Sequence, residues 1–343
     1  MSTPLLAPDS RGLYCEVGGF HIDPWKPVDR AVVTHGHSDH ASWGHRRYLC
    51  TFASAPILRR RLGDDCPIDS LAFCETVNLN GVQVSFHPAG HVLGSTQVRL
   101  EYQGEVWVVT GDYKTERDRT AEPFELVPCH TLITETTFGL PIFQWRPQRE
   151  VFDQINAWWR ANQSVGKASV LMGYALGKAQ RLLAGVDPQV GPIFAHGSVA
   201  AMNETYREGG VVLPSTRHPA SGTKEEFARA LVIAPPSAQG TPWLRRFGDV
   251  STAFASGWMT MRGTRRRRAL DRGFVLSDHV DWTSLMDVIR ASGAETILTT
   301  HGYADIVARH LRDQGLDSRA LATAYVGEAA DPGSESEEEF AGD

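Results

Sequence analysis

The chain has 343 residues, 42% hydrophobic and 22% charged, a composition that excludes a disordered or fibrous protein and allows more than one average domain. Its net charge of −6 is confined to the end: residues 329–343 hold six acids and no Lys or Arg, leaving residues 1–328 neutral. No apolar run approaches the ~20 residues of a membrane span, and residues 1–9 lack the basic start and apolar core of a signal peptide, so a cytoplasmic protein without a membrane partner is expected. Five cysteines, odd in number and without Cys-x-x-Cys spacing, argue against a disulfide framework or a zinc ribbon.

Ala31-Val-Val reads as a buried strand that runs into Thr34-His35-Gly-His37-Ser-Asp39-His40. Three imidazoles and a carboxylate packed this closely repel when protonated and are costly to bury without a cation, so the cluster reads as a metal site. His35 and His37, at alternate positions of an extended loop, can grip one ion, while Asp39 and His40 are placed to hold a second, which suggests hydrolysis. Further ligands must then come from distant strand ends. Residues 83–86 alternate, and a Gly-bounded turn at 88–95 presents His91. An apolar run from Val106 ends in Gly111-Asp112, and another from Thr296 ends in His301-Gly302. Each of these alone reads equally as a cap or turn; their joint occurrence with the first cluster carries the weight.

Between these ligands, residues 150–161 place Val151, Ile155, Trp158 and Trp159 on one helix face, and 169–172 with 177–183 form a βα unit. Gly173-Tyr-Ala-Leu-Gly-Lys178 is not a nucleotide triphosphate loop, because three residues separate its glycines where that motif has four and Ala179 replaces Ser/Thr. His196 and His218 have no ligand-like neighbours in sequence and read as structural or groove residues. Arg262, Arg265, Arg266, Arg267, Arg268 and Arg272 form a positive band, which fits phosphate contact and a solvated face alike. A strand at 274–277, a helix at 282–291, a strand at 296–300 and a helix at 304–314 then lead to a Ser/Gly/Glu-rich tail that cannot bury a core and is expected to be disordered. The middle of the chain thus interrupts a site whose ligands lie on both sides of it.

In this order, Ile22-Asp23-Pro24, His35 to His40, His91 and Asp112 resemble the motifs of the metallo-β-lactamase superfamily. Leu132-Ile-Thr-Glu135, Leu276-Ser-Asp-His279 and His301-Gly302 resemble the three added motifs of its β-CASP nucleases, and Ala175-Leu-Gly-Lys178-Ala-Gln180 resembles their Ala-Leu-Gly-Arg-Ala-Gln stretch. The segment from Phe254 to His279 is most similar to the bacterial ligase-associated DNA exonucleases. The resemblance implies an α/β fold: an αββα sandwich core at 1–139 and 273–328, an inserted β-CASP α/β cap at 140–272, and the acidic tail at 329–343.

It further implies two divalent ions, zinc first, with manganese or iron as alternatives. His35, His37 and His91 would hold one, Asp39, His40 and His301 the other, and Asp112 would bridge them. Such a pair would lower the pKa of a shared water to about 7 and clamp the phosphate oxygens. Asp39 would orient the nucleophile, Asp23 would fix a ligand histidine, and His279, oriented by Glu135, would protonate the departing sugar oxygen. A groove lined by Lys178, Ser256, Gly257, Arg262 and Arg265 to Arg268 would bind the substrate backbone. The expected activity is that of a DNA exonuclease acting on single-stranded ends in repair, linked functionally to an ATP-dependent DNA ligase and a helicase. An RNA-processing nuclease is the main rival, since His301 also matches the RNA-acting branches. A small-molecule metallo-hydrolase would not need the added motifs, and an inactive scaffold would be missing ligands that are all present here.

Overall fold

The computed structural model describes residues 4–261, 263 and 269–323, so Arg262, Arg265 to Arg268 and the acidic tail lie outside the described residues. The described chain divides into two compact units, residues 4–144 with 279–323, and residues 145–278.

The first unit opens with β1 (Ala7–Pro8), β2 (Leu13–Cys15), β3 (Phe20–Ile22), β4 (Ala31–Val32), β5 (Tyr48–Thr51), α1 (Ala55–Leu62) and β6 (Ile68–Leu71). These six strands form one sheet in sequence order. Then come β7 (Thr76–Leu79), β8 (Val82–Pro88), β9 (Thr96–Tyr102), β10 (Glu105–Val109) and β11 (Thr131–Glu135). The second unit supplies α2 (Gln148–Ser164), β12 (Ala168–Met172), α3 (Lys178–Gly185), β13 (Ile193–Ala195), α4 (Gly197–Glu208), α5 (Lys224–Phe227), β14 (Leu231–Ala234), β15 (Val250–Ala255) and β16 (Arg272–Phe274). The first unit resumes with α6 (Trp282–Ala291), β17 (Thr296–Thr300), α7 (Ala304–Asp313) and β18 (Asp317–Ala320). Its second sheet has seven strands in the order β18-β17-β11-β10-β9-β8-β7, antiparallel from β7 to β10 and parallel from β10 to β18.

Strand alternation assigns each side chain of the first unit to a layer. Val32 and Leu49 point inward with Phe20 and Ile22, against Val84, Phe86, Val98, Trp107, Val109, Ile133 and Leu298 of the other sheet. Their neighbours point outward: Ala31, Val33, Tyr48 and Cys50 pack under Leu58 and Leu62 of α1. On the far side Val108, Leu132 and Ile297 pack under Leu285, Ile289, Val307 and Leu311 of α6 and α7. The layers therefore run helix, sheet, sheet, helix. Each such aliphatic side chain removed from water contributes roughly 1.5–3 kcal/mol.

The second unit is a mixed α/β body around a five-stranded parallel sheet, ordered β13-β14-β12-β15-β16. β12 and β14 are buried along their whole length, as strands covered on both faces must be, which is why the sequence shows a continuous apolar run there. One sequence reading is corrected: the strand expected at 274–277 as part of the core is β16, and it pairs with β15 in this second sheet. Phe274 is buried there against Trp158 of α2, which settles its side chain on that sheet. No helix among the described residues is long and apolar enough to cross a membrane.

His45 ties the loop after β4 to the body of the first unit. Its Nδ1 accepts from the Val28 amide at 3.3 Å, so the ring proton sits on Nε2 and is donated to Ser42 Oγ at 3.1 Å, while that hydroxyl donates to Pro24 O at 2.6 Å. Burial, aided by His21, pushes the His45 pKa down to about 4. Because the folded value lies below the unfolded one, stability from this group is complete above pH ~6.5 and is lost as pH falls toward 4. Discounted for solvent screening, the loss is on the order of 1–2 kcal/mol. Urea unfolding of wild type and His45→Gln between pH 7 and pH 4 should show a flatter pH dependence in the variant; parallel curves would contradict the assignment.

Candidate metal centre

All candidate ligands belong to the first unit and stand where strands end. Asp23 follows β3, His35 follows β4 by way of Thr34, Asp112 follows β10, and His301 follows β17. The β8–β9 connection carries His91, whose amide is fixed by Ser95 Oγ at 3.0 Å. The Thr96 amide donates to Thr34 O at 2.9 Å, joining the ends of β4 and β9 and so the two sheets. Backbone geometry is specialised here: Asp23 (φ 42°) and His301 (φ 57°) both adopt the left-handed region. Two glycines allow the close approach, since a Cβ on Gly111 would lie 2.7 Å from Thr34 Cβ and one on Gly302 2.6 Å from Thr137 Cα.

The hydrogen bonds behind the histidines fix which nitrogen faces inward. Asp23, an acceptor only, takes the Thr34 amide at 2.8 Å, the Thr34 hydroxyl at 2.6 Å and His40 Nδ1 at 2.7 Å. His40 therefore carries its proton on Nδ1 and turns the Nε2 lone pair inward. Having given its proton to Asp23, the Thr34 hydroxyl accepts from His35 Nδ1 at 3.1 Å, so the lone pair of His35 is on Nε2 as well. Thr300 repeats the device: its hydroxyl donates to Thr134 O at 3.3 Å and accepts from His301 Nδ1 at 2.8 Å. Such outer partners set both the tautomer and the basicity of a ligand histidine.

The inward atoms fall into two groups that share no histidine: His35, His37, His91 and Asp112, then Asp39, His40 and His301, with ligand atoms of each group within 4.8 Å of one another. His37 Nδ1 lies 3.0 Å from His35 Nε2 and 3.1 Å from His91 Nε2. Zn–N bonds of about 2.0–2.1 Å would place tetrahedral nitrogens roughly 3.3 Å apart, so this spacing fits a cation at their centre. Asp112 Oδ2 is 3.7 Å from His35 Nε2, 3.9 Å from His91 Nε2 and 3.5 Å from His40 Nε2, and Oδ1 is 4.0 Å from His301 Nε2. This carboxylate faces both groups, and its buried Oδ1 accepts no hydrogen bond. Burial pushes the Asp112 pKa up to about 7, with Glu135 and Asp39 adding to it, while burial and the neighbouring imidazoles hold His35 well below its usual value. Burial would also lower His40, yet Asp112, Asp39 and Asp23 raise it to about 10, whereas burial and His40 push His301 down to about 3. Several carboxylates thus compete for one imidazolium, and divalent cations between the two groups would neutralise them. The donor set fits two ions.

Beside Asp112 stands a further pair. His279 Nδ1 donates to Glu135, 2.9 Å from Oε2 and 3.1 Å from Oε1, while Glu135 also accepts from the Tyr113 amide at 2.8 Å and Thr137 Oγ1 at 2.5 Å. Burial opposes ionisation of Glu135, but His279, Thr137 and Tyr113 hold its pKa below the usual value. His279 Nδ1 is 3.9 Å from Asp112 Oδ2. Glu135 could complete a third ion-holding group with Asp112 and His279, but its oxygens are already engaged by four donor contacts, which favours an oriented His–Glu pair.

The residues expected to bind substrate divide differently. Lys178 is buried in the second unit, its ammonium held by Leu276 O at 2.8 Å and Asp278 Oδ2 at 3.0 Å; Arg181 Nη1 reaches Asp278 Oδ1 at 2.9 Å. Lys178, expected at the substrate backbone, is thus part of a buried ion cluster with Asp278 and Arg181. Ser256 and Gly257 are buried too, with Ser256 Oγ capping the Trp258 amide at 3.2 Å. Sequence reading missed Thr34, Thr300 and Thr137. Their only signal is position, each within two residues of a candidate ligand or of Glu135.

No family model matches the chain. It is similar to a probable DNA ligase of Opitutus terrae, 33% identical over 315 residues, which cover 91% of this chain and 30% of that protein. It is also similar to the endoribonuclease ysh1 of Aspergillus fumigatus, 29% identical over 226 residues (58% of this chain, 25% of that protein). The endoribonuclease YSH1 of Saccharomyces cerevisiae matches at 32% identity over 122 residues (35% of this chain, 15% of that protein). The chain thus spans a third or less of the length of these curated relatives. A crystal structure of an Enterococcus faecalis protein of unknown function shares the fold, with TM-score 0.56 and 10% identity over 86% of this chain and 79% of that one. Together with the layered fold and the paired ligand groups, these similarities support a metallo-β-lactamase and β-CASP-like class without defining a type within it.

Replacing Asp23 by Asn removes the charged acceptor behind His40 and should weaken zinc binding at the His40 group by about 10–100-fold, with a smaller loss at the His35 group, which Asp23 reaches only through Thr34. Zinc titration against a competing chelator measures both; unchanged affinity of both would contradict the orienting role.

Proposed function

We propose that this chain is a two-metal phosphodiesterase that cleaves nucleic acid, acting on DNA from single-stranded ends. The observation that carries the reading is Asp112, a carboxylate that faces two separate ligand groups with the His279–Glu135 pair within 4 Å of it. Two bound divalent cations would supply Lewis acidity for the phosphoryl oxygens and for the attacking water. Asp39, partly open to solvent, would orient that water, while Asp112 is buried between the two ligand groups. Glu135 fixes the His279 proton on Nδ1, leaving Nε2 as the nitrogen that exchanges a proton with the departing oxygen.

DNA is favoured because similarity to the relative named a DNA ligase runs along 91% of this chain, whereas the two endoribonucleases match 58% and 35% of it. A functional link to a ligase is proposed on the same ground. A single-stranded substrate suits two aromatic side chains beside the ligand loops. Trp43, three residues after His40, is 54% exposed, and Phe52 is 59% exposed. Phe52 lies between Thr51 and Ser54, whose hydroxyls both donate to Gly94 O, three residues after His91. Exposed aromatics of this kind stack unpaired bases for about 1–3 kcal/mol each.

Digestion of single-stranded DNA and RNA labelled at either end should give stepwise cleavage of DNA; a clear preference for RNA would reverse the substrate assignment. His279→Ala should lower turnover on the order of 10²–10⁴-fold with metal content unchanged. Equal rates for variant and wild type would remove His279 from the reaction. Trp43→Ala with Phe52→Ala should raise KM for single strands on the order of tenfold and leave kcat and bound metal intact. A fall in kcat alone would instead place these residues outside substrate binding.

A further inference from the structure

We propose that the first unit holds a thiolate metal site of its own, formed by Cys74, His87 and Glu125, none of which belongs to the histidine centre. One ligand atom from each of the three lies within 4.8 Å of the others. They come from separate segments: Cys74 from the turn between β6 and β7, His87 from β8, and Glu125 from the long connection between β10 and β11.

Each backbone is already fastened to β8 or lies in it. The Cys74 amide donates to Phe86 O at 2.8 Å, the Glu125 amide donates to Pro88 O at 3.1 Å, and Gln97 Nε2 donates to Glu125 O at 2.5 Å. Cys74 also adopts a left-handed backbone (φ 64°), a conformation uncommon for a residue with a side chain, which sets the direction in which its Sγ leaves the turn. The His87 ring is bracketed by Glu125 Oε1, 3.1 Å from Nδ1, and Ser85 Oγ, 3.2 Å from Nε2. With an ion present, Nδ1 and the carboxylate both turn lone pairs toward it, and Nε2–H donates to Ser85 Oγ.

The donor set decides the ion. A thiolate and a carboxylate neutralise a divalent cation, the imidazole adds a third ligand, and the fourth tetrahedral position would be left to water. Sulfur selects zinc or cobalt over magnesium and manganese. Bound metal would staple the connection that follows Asp112 to the edge of the seven-stranded sheet and stabilise the fold by mass action.

Cobalt(II) titration of the full chain reads this site alone, because a thiolate-to-cobalt charge-transfer band in the near ultraviolet cannot arise from histidine and aspartate ligands. Wild type should show the band and bind one equivalent more than Cys74→Ser, which should lack the band and keep its nuclease turnover. Cys66→Ser should retain the band, and His87→Gln should weaken the cobalt affinity of the band at least tenfold. Absence of the band in wild type, or its survival in Cys74→Ser, overturns the site. Neither result bears on the nuclease reading, which rests on other residues.

Discussion

A carboxylate buried among imidazoles is the constraint on which the first unit is organised. Asp112 is 3% exposed and faces His35, His40, His91, His279 and His301 at 3.5–4.0 Å. Burying unneutralised charge costs several kcal/mol, so the arrangement is stable only if protons or cations supply the missing positive charge. The acceptors behind the ring decide between the two. Asp23, Thr34 and Thr300 take the outer ring protons of His40, His35 and His301, which leaves three lone pairs converging on the space around Asp112. A proton on the inner nitrogen would keep these bonds but use only one lone pair at a time and set cationic rings against one another; divalent cations would neutralise the carboxylates and use the lone pairs together. Metal binding here would therefore be coupled to folding, as ligand deprotonation and pocket closure draw on the same hydrogen bonds.

Sheet register places these groups. β10, β11 and β17 run parallel with Val109 opposite Ile133, Ile133 opposite Leu298 and Glu135 opposite Thr300. Their carboxyl ends lie side by side, which brings Asp112, Glu135 and His301 together although 189 residues separate the first from the last. A slip of one residue would turn Val108 and Val109 to the wrong layers and carry the ligand beyond them to the wrong face. The core packing and the metal centre thus depend on the same alignment. Location outside the carboxyl ends of parallel strands is the usual place for a site in an α/β sheet.

Much of this is legible in the sequence because strand ends and clustered ligands leave local marks. The apolar run into His35 and the runs ending at Asp112 and His301 show both the strand and the residue it delivers. Thr34 and Thr300 leave no such mark, since a threonine before a histidine is common and its role follows only from where its proton goes. Lys178 shows the opposite case. The resemblance sets it along a substrate groove, but Leu276 O and Asp278 approach from about a hundred residues away and hold it inside the second unit. Periodicity carries no information about such long-range ion pairs. The strand near Arg272 is legible in the sequence, but its partner, β15, is not, for a related reason.

Depth separates the two sides of the metal centre and bears on what can reach it. His35, His40, His91 and His301 are buried, while His37 and Asp39 are only partly so, and both lie on the loop that also leads to the exposed Trp43. Residues 36–43 are thus the more open side of the centre. On the proposed reading, the phosphodiester must pass inward to Asp112 while the bases stay outside against Trp43 and Phe52. A duplex holds its bases stacked and paired, and its backbone cannot enter without unstacking at a cost of a few kcal/mol per step. A single strand meets no such cost and gains stacking on the aromatic rings. On that reading, the depth of the carboxylate would favour flexible strands over paired ones before any base is recognised.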